Sequence, residues 1–185
     1  MKEQKWDSRK ADILLSLVAI SVLLTVMILC CFAIALTGQN PIFSQIRVGQ
    51  NQILFKLYKF RTMKGQGNLP SHLESQARIT KLGAFLRATK LDELPQLFNV
   101  LKGEMSMVGP RPCLPSQHKV IQARASRNLN ALKPGITGHS QLSGIDMSQP
   151  ELLATHDNVL LSEWSSKTYA SILIRTVFGF LRKYK

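Results

Sequence analysis

Cysteine and acidic residues are both scarce in this sequence. The three cysteines are Cys30, Cys31 and Cys113, and this number and spacing cannot build the disulfide framework of a secreted domain, so a reducing compartment is expected. Lysine and arginine number 24 against 11 acids, and the net charge of +13 predicts polyanionic partners such as phosphorylated substrates, phospholipid surfaces or nucleic acid. At 185 residues, the chain predicts one compact domain with at most an appended segment.

Several common catalytic signatures are also missing. The four histidines have no zinc-ligand spacing with one another or with Cys113, which argues against a transition-metal site. Residues 65–67 are too short for a phosphate-binding loop of the Walker type, and nothing resembles the nucleophile elbow of a serine hydrolase. Phosphate binding would therefore depend on Arg and Lys side chains and a metal ion.

Charge is absent altogether from residues 13–36. As a helix, this segment would extend about 36 Å, which is enough to cross a bilayer, and it lacks the polar stripe of a core helix. A signal peptide cleaved near residues 33–35 is the alternative, although its apolar run would be longer than usual. We predict an N-terminal membrane-embedded helix within residues 1–40.

Basic residues flank this apolar run on both sides. They are Lys2, Lys5, Arg9 and Lys10 before it, and Arg47, Lys56, Lys59, Arg61 and Lys64 after it. Since basic residues prefer the cytoplasmic side, either one flank is overridden in a single span, or a re-entrant helix returns to the same face. The charge pattern favours the re-entrant helix. No proline lies in the run to bend it, which leaves Ser21 and Thr25 as the candidate bending residues.

The C-terminal segment 169–185 is amphipathic. Its apolar residues recur at helical spacing and include Leu173, Ile174, Val177, Phe178 and Leu181. A basic helix lying in the membrane interface would show this pattern. A terminal helix that packs on the core of the domain would show it as well, so both interpretations stay open.

The remaining pattern predicts an α+β fold that is mostly helical with a small sheet. Residues 53–63 predict a strand or short hairpin, and residues 64–75 predict a mobile loop of the kind that often serves as a lid. A short helix is expected from Ala77, and a second from about Asp92 to Leu101 with Gly103 at its end. Residues 133–138 predict a turn before a short strand.

Asp92 and Glu93 are adjacent carboxylates at the start of the second predicted helix. Spacing alone favours a capping role, because acidic residues stabilise a helix N-terminus. The setting favours chemistry, since carboxylates among cations stay ionised, as a nucleophile or a ligand of Mg²⁺ must be. The surrounding cations are Arg78, Lys81, Arg87, Lys90 and Arg111, the last held in a rigid backbone between Pro110 and Pro112.

Residues 80–112, TKLGAFLRATKLDELPQLFNVLKGEMSMVGPRP, closely resemble the bacterial sugar transferase family of monotopic polyprenol-phosphate phosphoglycosyl transferases. The resemblance extends to PIFSQIRVGQNQILFKLYKFRTM at 41–63 and KPGITG at 133–138. It implies transfer of sugar-1-phosphate from a UDP-sugar to polyprenol (undecaprenyl) phosphate, which begins glycan assembly at the cytoplasmic face of the bacterial inner membrane. Residues 41–185 would then form the catalytic domain, with an interfacial C-terminal helix on the membrane lipid.

The same resemblance implies a role for each matching residue. Asp92 would attack the β-phosphate, release UMP and carry the phosphosugar covalently until the lipid phosphate displaces it. Glu93 would bind Mg²⁺. The cations that match the family's phosphate-binding positions are Lys59, Arg61, Arg87 and Arg111.

The chain departs from the family pattern outside the Asp-Glu block. Thr25 stands where the family usually has Pro, His139 where Trp is common, and Val159 and Leu160 where tyrosines usually follow a late Asp, matched here by Asp157. An inactive family member is therefore one alternative. A basic, membrane-anchored binding protein for nucleic acid or anionic lipid is another, but it leaves Asp92 and Glu93 without a task, so no nucleic-acid partner is predicted. The sugar and the oligomeric state do not follow from the sequence.

Overall fold

The computed structural model describes residues 7–64 and 79–182. The fold is α+β, mostly helical with small sheets, as predicted. The predicted loop at 64–75 lies outside the described residues, apart from Lys64. In chain order, the elements are α1 (Arg9–Ala35), β1 (Ile42–Val48), β2 (Leu54–Phe60), α2 (Lys81–Ala88), α3 (Gln96–Lys102), β3 (Ser106–Val108), α4 (His118–Ala125), β4 (Gly135–Thr137), α5 (His139–Leu142), α6 (Pro150–Ser162) and α7 (Ser166–Arg182). Short 3₁₀ turns lie at Gln50–Gln52, Leu91–Glu93 and Leu129–Ala131.

The strands β1 and β2 form an antiparallel hairpin. Ile42 lies opposite Phe60 and Val48 opposite Leu54. The strand predicted at 53–63 is confirmed as β2, whose buried residues Phe55, Leu57 and Phe60 face the interior. The preceding strand β1 was not predicted, because its apolar and polar residues do not alternate strictly: Ile42 and Phe43 are both apolar, and Ser44 and Gln45 are both polar.

The strands β3 and β4 form a short parallel pair, with Ser106 opposite Gly135 and Val108 opposite Thr137. This confirms the strand predicted after the turn at 133–138. The chain leaves β3 through Gly109, and a Cβ added at Gly135 would overlap the backbone nitrogen of Gly109. Glycine is required here because the two backbones approach each other more closely than any side chain allows.

The helix predicted from Asp92 to Leu101 is divided in two. A 3₁₀ turn covers Leu91–Glu93, and α3 begins at Gln96 after Pro95. Proline has no N–H to continue the helical hydrogen-bond pattern, so a continuous α-helix cannot run through it. Gly103 ends α3 with φ of +85°, as predicted for a helix C-terminus.

The helix α1 packs along the domain with one face. Its buried residues, which we call the docking stripe, are Asp12, Ser16, Met27, Cys30 and Ile34. Many of the other residues on α1 are apolar and exposed, and this is the helix among the described residues that is long and apolar enough to cross a membrane. Helical structure continues through residues 21–25, and the re-entrant course with a bend there stays a prediction.

Asp12 joins the start of α1 to the domain. Its side chain is 1% exposed, and its Oδ1 accepts hydrogen bonds from Ser106 Oγ at 2.9 Å, the Met107 backbone N–H at 2.9 Å and the Tyr169 hydroxyl at 2.7 Å. Ser8 Oγ donates to Oδ2 at 3.1 Å. Because every bond ends on one buried carboxylate, α1, β3 and α7 are held in a defined relation.

The helix α7 packs on the core of the domain, which is one of the two interpretations left open by its sequence; the membrane-interface interpretation stays a prediction. Tyr169 and Ile172 are buried in the main hydrophobic cluster. Further along, Ile174, Val177 and Phe178 are 55%, 58% and 61% exposed. The helix therefore packs on the core through one side and presents an apolar surface on another.

Candidate active site

A cavity of about 210 Å³ brings together all six residues that the sequence analysis selected. The end of β2 and the residue after it contribute two cations, α2 contributes one, and the 3₁₀ turn contributes both carboxylates. The sixth residue comes from the segment that follows β3. In chain order they are Lys59, Arg61, Arg87, Asp92, Glu93 and Arg111.

The chain changes direction between the end of α2 and the 3₁₀ turn that carries the carboxylates. Lys90 has φ of +58°, a left-handed conformation that non-glycine residues seldom adopt. Leu91 and Leu94, on either side of the carboxylates, pack against the cluster that contains Leu86. The packing of these two partly buried leucines fixes the turn, and the carboxylates between them line the cavity.

Asp92 is buried and incompletely hydrogen-bonded. Its side chain is 6% exposed, and its Oδ1 has no hydrogen-bond partner among the described residues. Burial raises the pKa of this carboxyl above its usual value and Glu93 adds to the rise, although Lys59 opposes it. Lys90 and Pro95 occupy the N-cap positions of the turn and of α3, and neither side chain makes a cap bond, so the unpartnered Oδ1 of Asp92 has no capping bond among the described residues.

Glu93 has a different environment although it is the next residue. Lys59 Nζ lies 2.9 Å from Glu93 Oε1, and Arg111 Nη1 lies 3.9 Å from the same oxygen. Burial raises the pKa of Glu93, but Lys59, Arg111 and Lys90 outweigh this effect and lower it to about 2. The predicted ionised state among cations therefore holds clearly for Glu93, whereas burial has the larger effect at Asp92.

Two further guanidinium groups line the cavity and are oriented by polar neighbours. Arg87 Nε donates to Thr62 Oγ1 at 2.8 Å. Arg61 Nε donates to the Asn40 carbonyl at 2.9 Å, and its guanidinium lies 5.8 Å from the centre of the Phe43 ring. Each side chain is thus oriented by a hydrogen bond from Nε, and a planar guanidinium group matches the geometry of phosphate oxygens.

The segment that carries Arg111 is held at every carbonyl from residue 110 to residue 113. Its prolines already restrict the backbone, and the sequence predicted a rigid segment here. The donors to these four carbonyls are, in order, Gly135 N at 2.9 Å, Arg124 Nη1 at 2.9 Å, Arg47 Nη1 at 3.2 Å and Val48 N at 2.9 Å. The Arg111 side chain therefore projects from a backbone that three other parts of the chain support: β1, α4 and β4.

Arg47 is a residue of the site that the sequence analysis did not select. It lies on β1, lines the cavity beside Arg111, and donates from Nη2 to Gln45 Oε1 at 2.6 Å. Its position in the sequence places it only in the basic flank that follows the predicted membrane segment. The signal that would have identified it is the spacing of two between Gln45 and Arg47, which places both on one face of a strand.

A larger and mainly apolar cavity, which we call the apolar groove, adjoins the first. Its volume is about 800 Å³, and it runs from α1 to the charged site. On the α1 side it is lined by Ala19 and Leu23, which lie between the two buried parts of the docking stripe. At its other end it shares Arg47, Lys90, Glu93 and Arg111 with the first cavity.

The carboxylates fit a hard cation better than a transition metal. Among the described residues, no group of three His, Cys, Asp or Glu side chains lies together as a metal site. Mg²⁺ does not require such a group, because one or two carboxylates and substrate phosphates usually hold it. The unpartnered Oδ1 of Asp92 and the ionised Glu93 are oxygen donors of this kind.

The chain is similar to several named bacterial proteins. It is 38% identical over 194 residues to the UDP-glucose:undecaprenyl-phosphate glucose-1-phosphate transferase of Escherichia coli (strain K12), covering 95% of this chain and 40% of that protein. It is 32% identical over 200 residues to the undecaprenyl-phosphate galactose phosphotransferase of Salmonella typhimurium, covering 98% of this chain and 42% of the relative. It is also 38% identical over 166 residues to the uncharacterized sugar transferase EpsL of Bacillus subtilis, covering 82% of this chain and 80% of EpsL.

The matches cover most of this chain but a smaller share of the two transferases from Escherichia coli and Salmonella typhimurium. This chain spans about 40% of the length of the Escherichia coli and Salmonella relatives. The model of the bacterial sugar transferase family matches residues 3–183 of this chain, a range that includes the apolar helix α1, both carboxylates and the Pro-Arg-Pro segment. The combination of this match with the site geometry means that the chain belongs to the bacterial sugar transferase family.

Proposed function

We propose that this protein transfers sugar-1-phosphate from a UDP-sugar to polyprenol phosphate, and so begins the assembly of a bacterial glycan. The observation that carries the proposal is the buried carboxylate of Asp92, whose Oδ1 has no hydrogen-bond partner among the described residues and lies in a cavity lined by cations. A purely structural carboxylate at this depth would be expected to have its hydrogen bonds satisfied. Asp92 is instead available to react.

In the first half-reaction, Asp92 is the nucleophile. One of its carboxylate oxygens forms a bond to the β-phosphorus of the UDP-sugar, and the bond between that phosphorus and the bridging oxygen breaks. UMP leaves with the electron pair of the broken bond. The phosphosugar is then held on Asp92, which divides the transfer between a soluble and a lipid substrate into two steps at one residue.

The cations of the cavity make this attack feasible. A carboxylate that approaches a diphosphate meets like-charge repulsion, which fixed positive groups reduce. The four side chains proposed to bind the phosphate oxygens are Lys59, Arg61, Arg87 and Arg111. The ion pair between Lys59 and Glu93 also orients the lysine toward the carboxylates.

We further propose Mg²⁺ as the cofactor, with Glu93 as its protein ligand beside Asp92. When bound with substrate, Mg²⁺ would neutralise charge on the phosphate oxygens. The pKa of about 2 for Glu93 supports this role, because the carboxylate stays ionised over the whole physiological range.

In the second half-reaction, polyprenol phosphate is the acceptor. An oxygen of its phosphate attacks the phosphorus held on Asp92, and the aspartate carboxylate leaves as the bond to it breaks. The apolar groove supports this step, because its α1 side is hydrophobic and its other end reaches Glu93 and Arg111. An isoprenoid chain would remain beside the membrane helix while its phosphate meets the cations.

The docking stripe supports a one-sided membrane arrangement. Residues 12 to 34 of α1 rise about 33 Å, which exceeds the hydrocarbon thickness of about 30 Å. A helix that crossed the bilayer with the domain packed along this length would draw charged residues into the lipid. We therefore propose that α1 stays within one leaflet of the inner membrane, that α7 lies at the interface, and that residues 41–185 face the cytoplasm.

The test is release of UMP by the detergent-solubilised protein with Mg²⁺ and a panel of UDP-sugars, first without and then with polyprenol phosphate. We expect one UMP per protein without the lipid and sustained turnover with it. UDP-glucose and UDP-galactose come first, since relatives are named for glucose and galactose. Failure with every UDP-sugar would favour an inactive family member, and salt-sensitive binding of nucleic acid instead would favour the binding-protein alternative.

A further inference from the structure

Arg124 and Asp157 form a buried ion pair outside the cavity. Arg124 on α4 donates from Nε and Nη2 to Asp157 Oδ2 on α6 at 3.0 and 2.8 Å. Ser140 Oγ donates to the other oxygen, Oδ1, at 2.8 Å. The exposed fractions are 7% for Arg124, 1% for Asp157 and 0% for Ser140, so the whole group is removed from water.

The remaining nitrogen of Arg124 connects this group to the active site. Arg124 Nη1 donates to the backbone carbonyl of Arg111 at 2.9 Å. This carbonyl lies between two prolines, whose nitrogens carry no hydrogen for a ladder of backbone bonds. A side-chain donor from α4 therefore occupies the place that a neighbouring strand would take in a regular sheet.

We propose that Arg124, oriented by Asp157, is a positioning residue that sets the location of the Arg111 guanidinium for the donor phosphate. This inference rests on the proposed function, because it concerns the phosphate contact of Arg111. Asp157 holds two nitrogens of the planar guanidinium, and the direction of the third toward the Arg111 carbonyl then follows from the fixed fork geometry of arginine. Asp157, which matches the late Asp of the family pattern, thus orients Arg124 in this chain.

Stability alone gives a weak reason for such a pair. Removing two charges from water costs free energy that their attraction often fails to recover, and apolar residues of similar volume stabilise a core equally well. A group that must hold one carbonyl at a fixed point does require directional donors. The position of the pair, one hydrogen bond from a predicted substrate-binding residue, agrees with this requirement.

Arg124→Lys tests the geometry while it retains the charge. A lysine ammonium is a single point of donation and cannot reproduce two bonds to Asp157 and one to the Arg111 carbonyl. A displacement of about 1 Å at a binding group can lower a rate on the order of 100-fold, so we expect kcat/KM for the UDP-sugar to fall between about 10-fold and 100-fold. The KM for polyprenol phosphate should change little.

The matched control is Arg127→Lys. Arg127 lies just beyond the same helix and pairs with the exposed Glu151, with Nη1 at 2.9 Å from Oε2. Exposed pairs of this kind contribute little to stability, and this one has no hydrogen bond to the Pro-Arg-Pro segment in the described structure. We expect unchanged kinetics in Arg127→Lys.

The decisive experiment is a double-mutant cycle on UMP release, with Arg124→Lys introduced into wild-type protein and into Arg111→Ala. If Arg124 acts through Arg111, the substitution lowers kcat/KM in the wild type and has little further effect in Arg111→Ala. The same fold-loss in both backgrounds would overturn the proposal and leave Arg124 with a structural role.

If Arg124→Lys does not fold, Ser140→Ala, which removes one bond to Asp157, takes its place in the same cycle. Absence of UMP release from wild-type protein with any UDP-sugar would instead overturn the proposed function, and this inference with it.

Discussion

At the scale of single residues, two adjacent carboxylates have become chemically different. Glu93 is paired with Lys59 and has a pKa of about 2, whereas burial raises the pKa of Asp92. The pair thus separates into a permanently ionised group suited to a metal and a less solvated group suited to attack. Adjacent acids with different environments are a common way to divide two roles.

The first prediction separates these roles by substitution. Asp92→Asn should abolish both UMP release and the covalent adduct, because an amide is not a useful nucleophile at phosphorus. Glu93→Gln leaves the nucleophile in place and weakens a metal ligand, so we expect a large loss of activity that is partly restored at high Mg²⁺. Intact-protein mass spectrometry of the wild type with UDP-sugar alone should show the mass of one phosphosugar on the peptide that contains Asp92. An adduct that persists in Asp92→Asn would exclude Asp92 as the nucleophile.

The second prediction concerns the stability of Asp92→Asn without substrate and in the presence of EDTA. A raised pKa in the folded state favours the protonated form, so this contribution is present below the unfolded-state pKa of about 4 and is lost as the pH rises through the folded-state value. Asparagine has no such dependence. We expect a higher Tm for Asp92→Asn than for the wild type at pH 7, with the difference closing toward pH 4 in thermal unfolding scans. A lower Tm at pH 7 would indicate a structural role.

The third prediction concerns Arg111. Its backbone is fixed at four successive carbonyls, and we expect its guanidinium to make a bidentate contact with substrate phosphate that lysine cannot reproduce. Arg111→Lys should therefore lower kcat/KM for the UDP-sugar at least about 10-fold, a difference of about 1.4 kcal/mol, although the charge is kept. Steady-state UMP release with varied donor is the measurement. An unchanged kcat/KM in Arg111→Lys would indicate that Arg111 has a structural role instead.

At the scale of elements, α1 is apolar enough to enter a membrane and is also packed on the domain. Asp12 fastens its first turns, and Met27, Cys30 and Ile34 pack on the cluster that contains Leu86. The lack of charge in residues 13–36 predicts the helix. Nothing in the local pattern predicts a special role for Asp12, which lies just before the apolar run. Its contact with β3 and α7 spans more than 90 residues of chain, which no local pattern can reveal.

The fourth prediction follows from this packing. Both ends of α1 should face the cytoplasm, because a domain attached along the helix cannot follow it through the bilayer. The measurement uses a variant in which the three native cysteines are replaced and one Cys is introduced at position 3, treated with a membrane-impermeant thiol reagent in intact cells. We expect labelling only after the cells are opened. Efficient labelling from outside would show a full span and contradict the one-leaflet arrangement.

At the scale of the whole molecule, the two cavities form one path from the membrane helix to the carboxylates. The apolar groove is bounded by α1, the middle of the domain and α7, and it meets the cavity at Glu93 and Arg111. Under the proposed function, a lipid phosphate in the groove and a nucleotide sugar in the cavity would meet at the shared residues Glu93 and Arg111. The net charge of +13 also favours an anionic membrane surface.

The fifth prediction tests the groove at Gly179. This residue lines the groove on α7, and a Cβ added there meets no atom within 4 Å, so Gly179→Leu should fold while it occupies part of the space. We expect a raised KM for polyprenol phosphate and unchanged UMP release without lipid. Gly179→Ala is the control, and it should keep full activity because it adds one methyl group and favours the helix. An unaltered lipid KM in Gly179→Leu would place the acceptor elsewhere.

The sequence by itself determined much of this protein. Features that depend on short, contiguous stretches could be predicted: the uncharged run at 13–36, the strand β2, the Asp-Glu pair, the Pro-Arg-Pro segment and the family. Such features are predictable because hydrophobic periodicity and backbone restriction act between near neighbours in the chain. For the same reason, the sequence predicts the six side chains of the site, but it does not predict that they line one cavity.

Tertiary structure alone decided the rest. It made Asp92 buried and Glu93 paired, and it brought Arg47 from an unpredicted strand to the wall of the site. It also placed Arg124 against the Arg111 carbonyl and opened the apolar groove between α1 and the domain. These features depend on desolvation and on contacts between distant segments, and both arise only when the chain is packed, because a residue's neighbours in space then replace its neighbours in sequence.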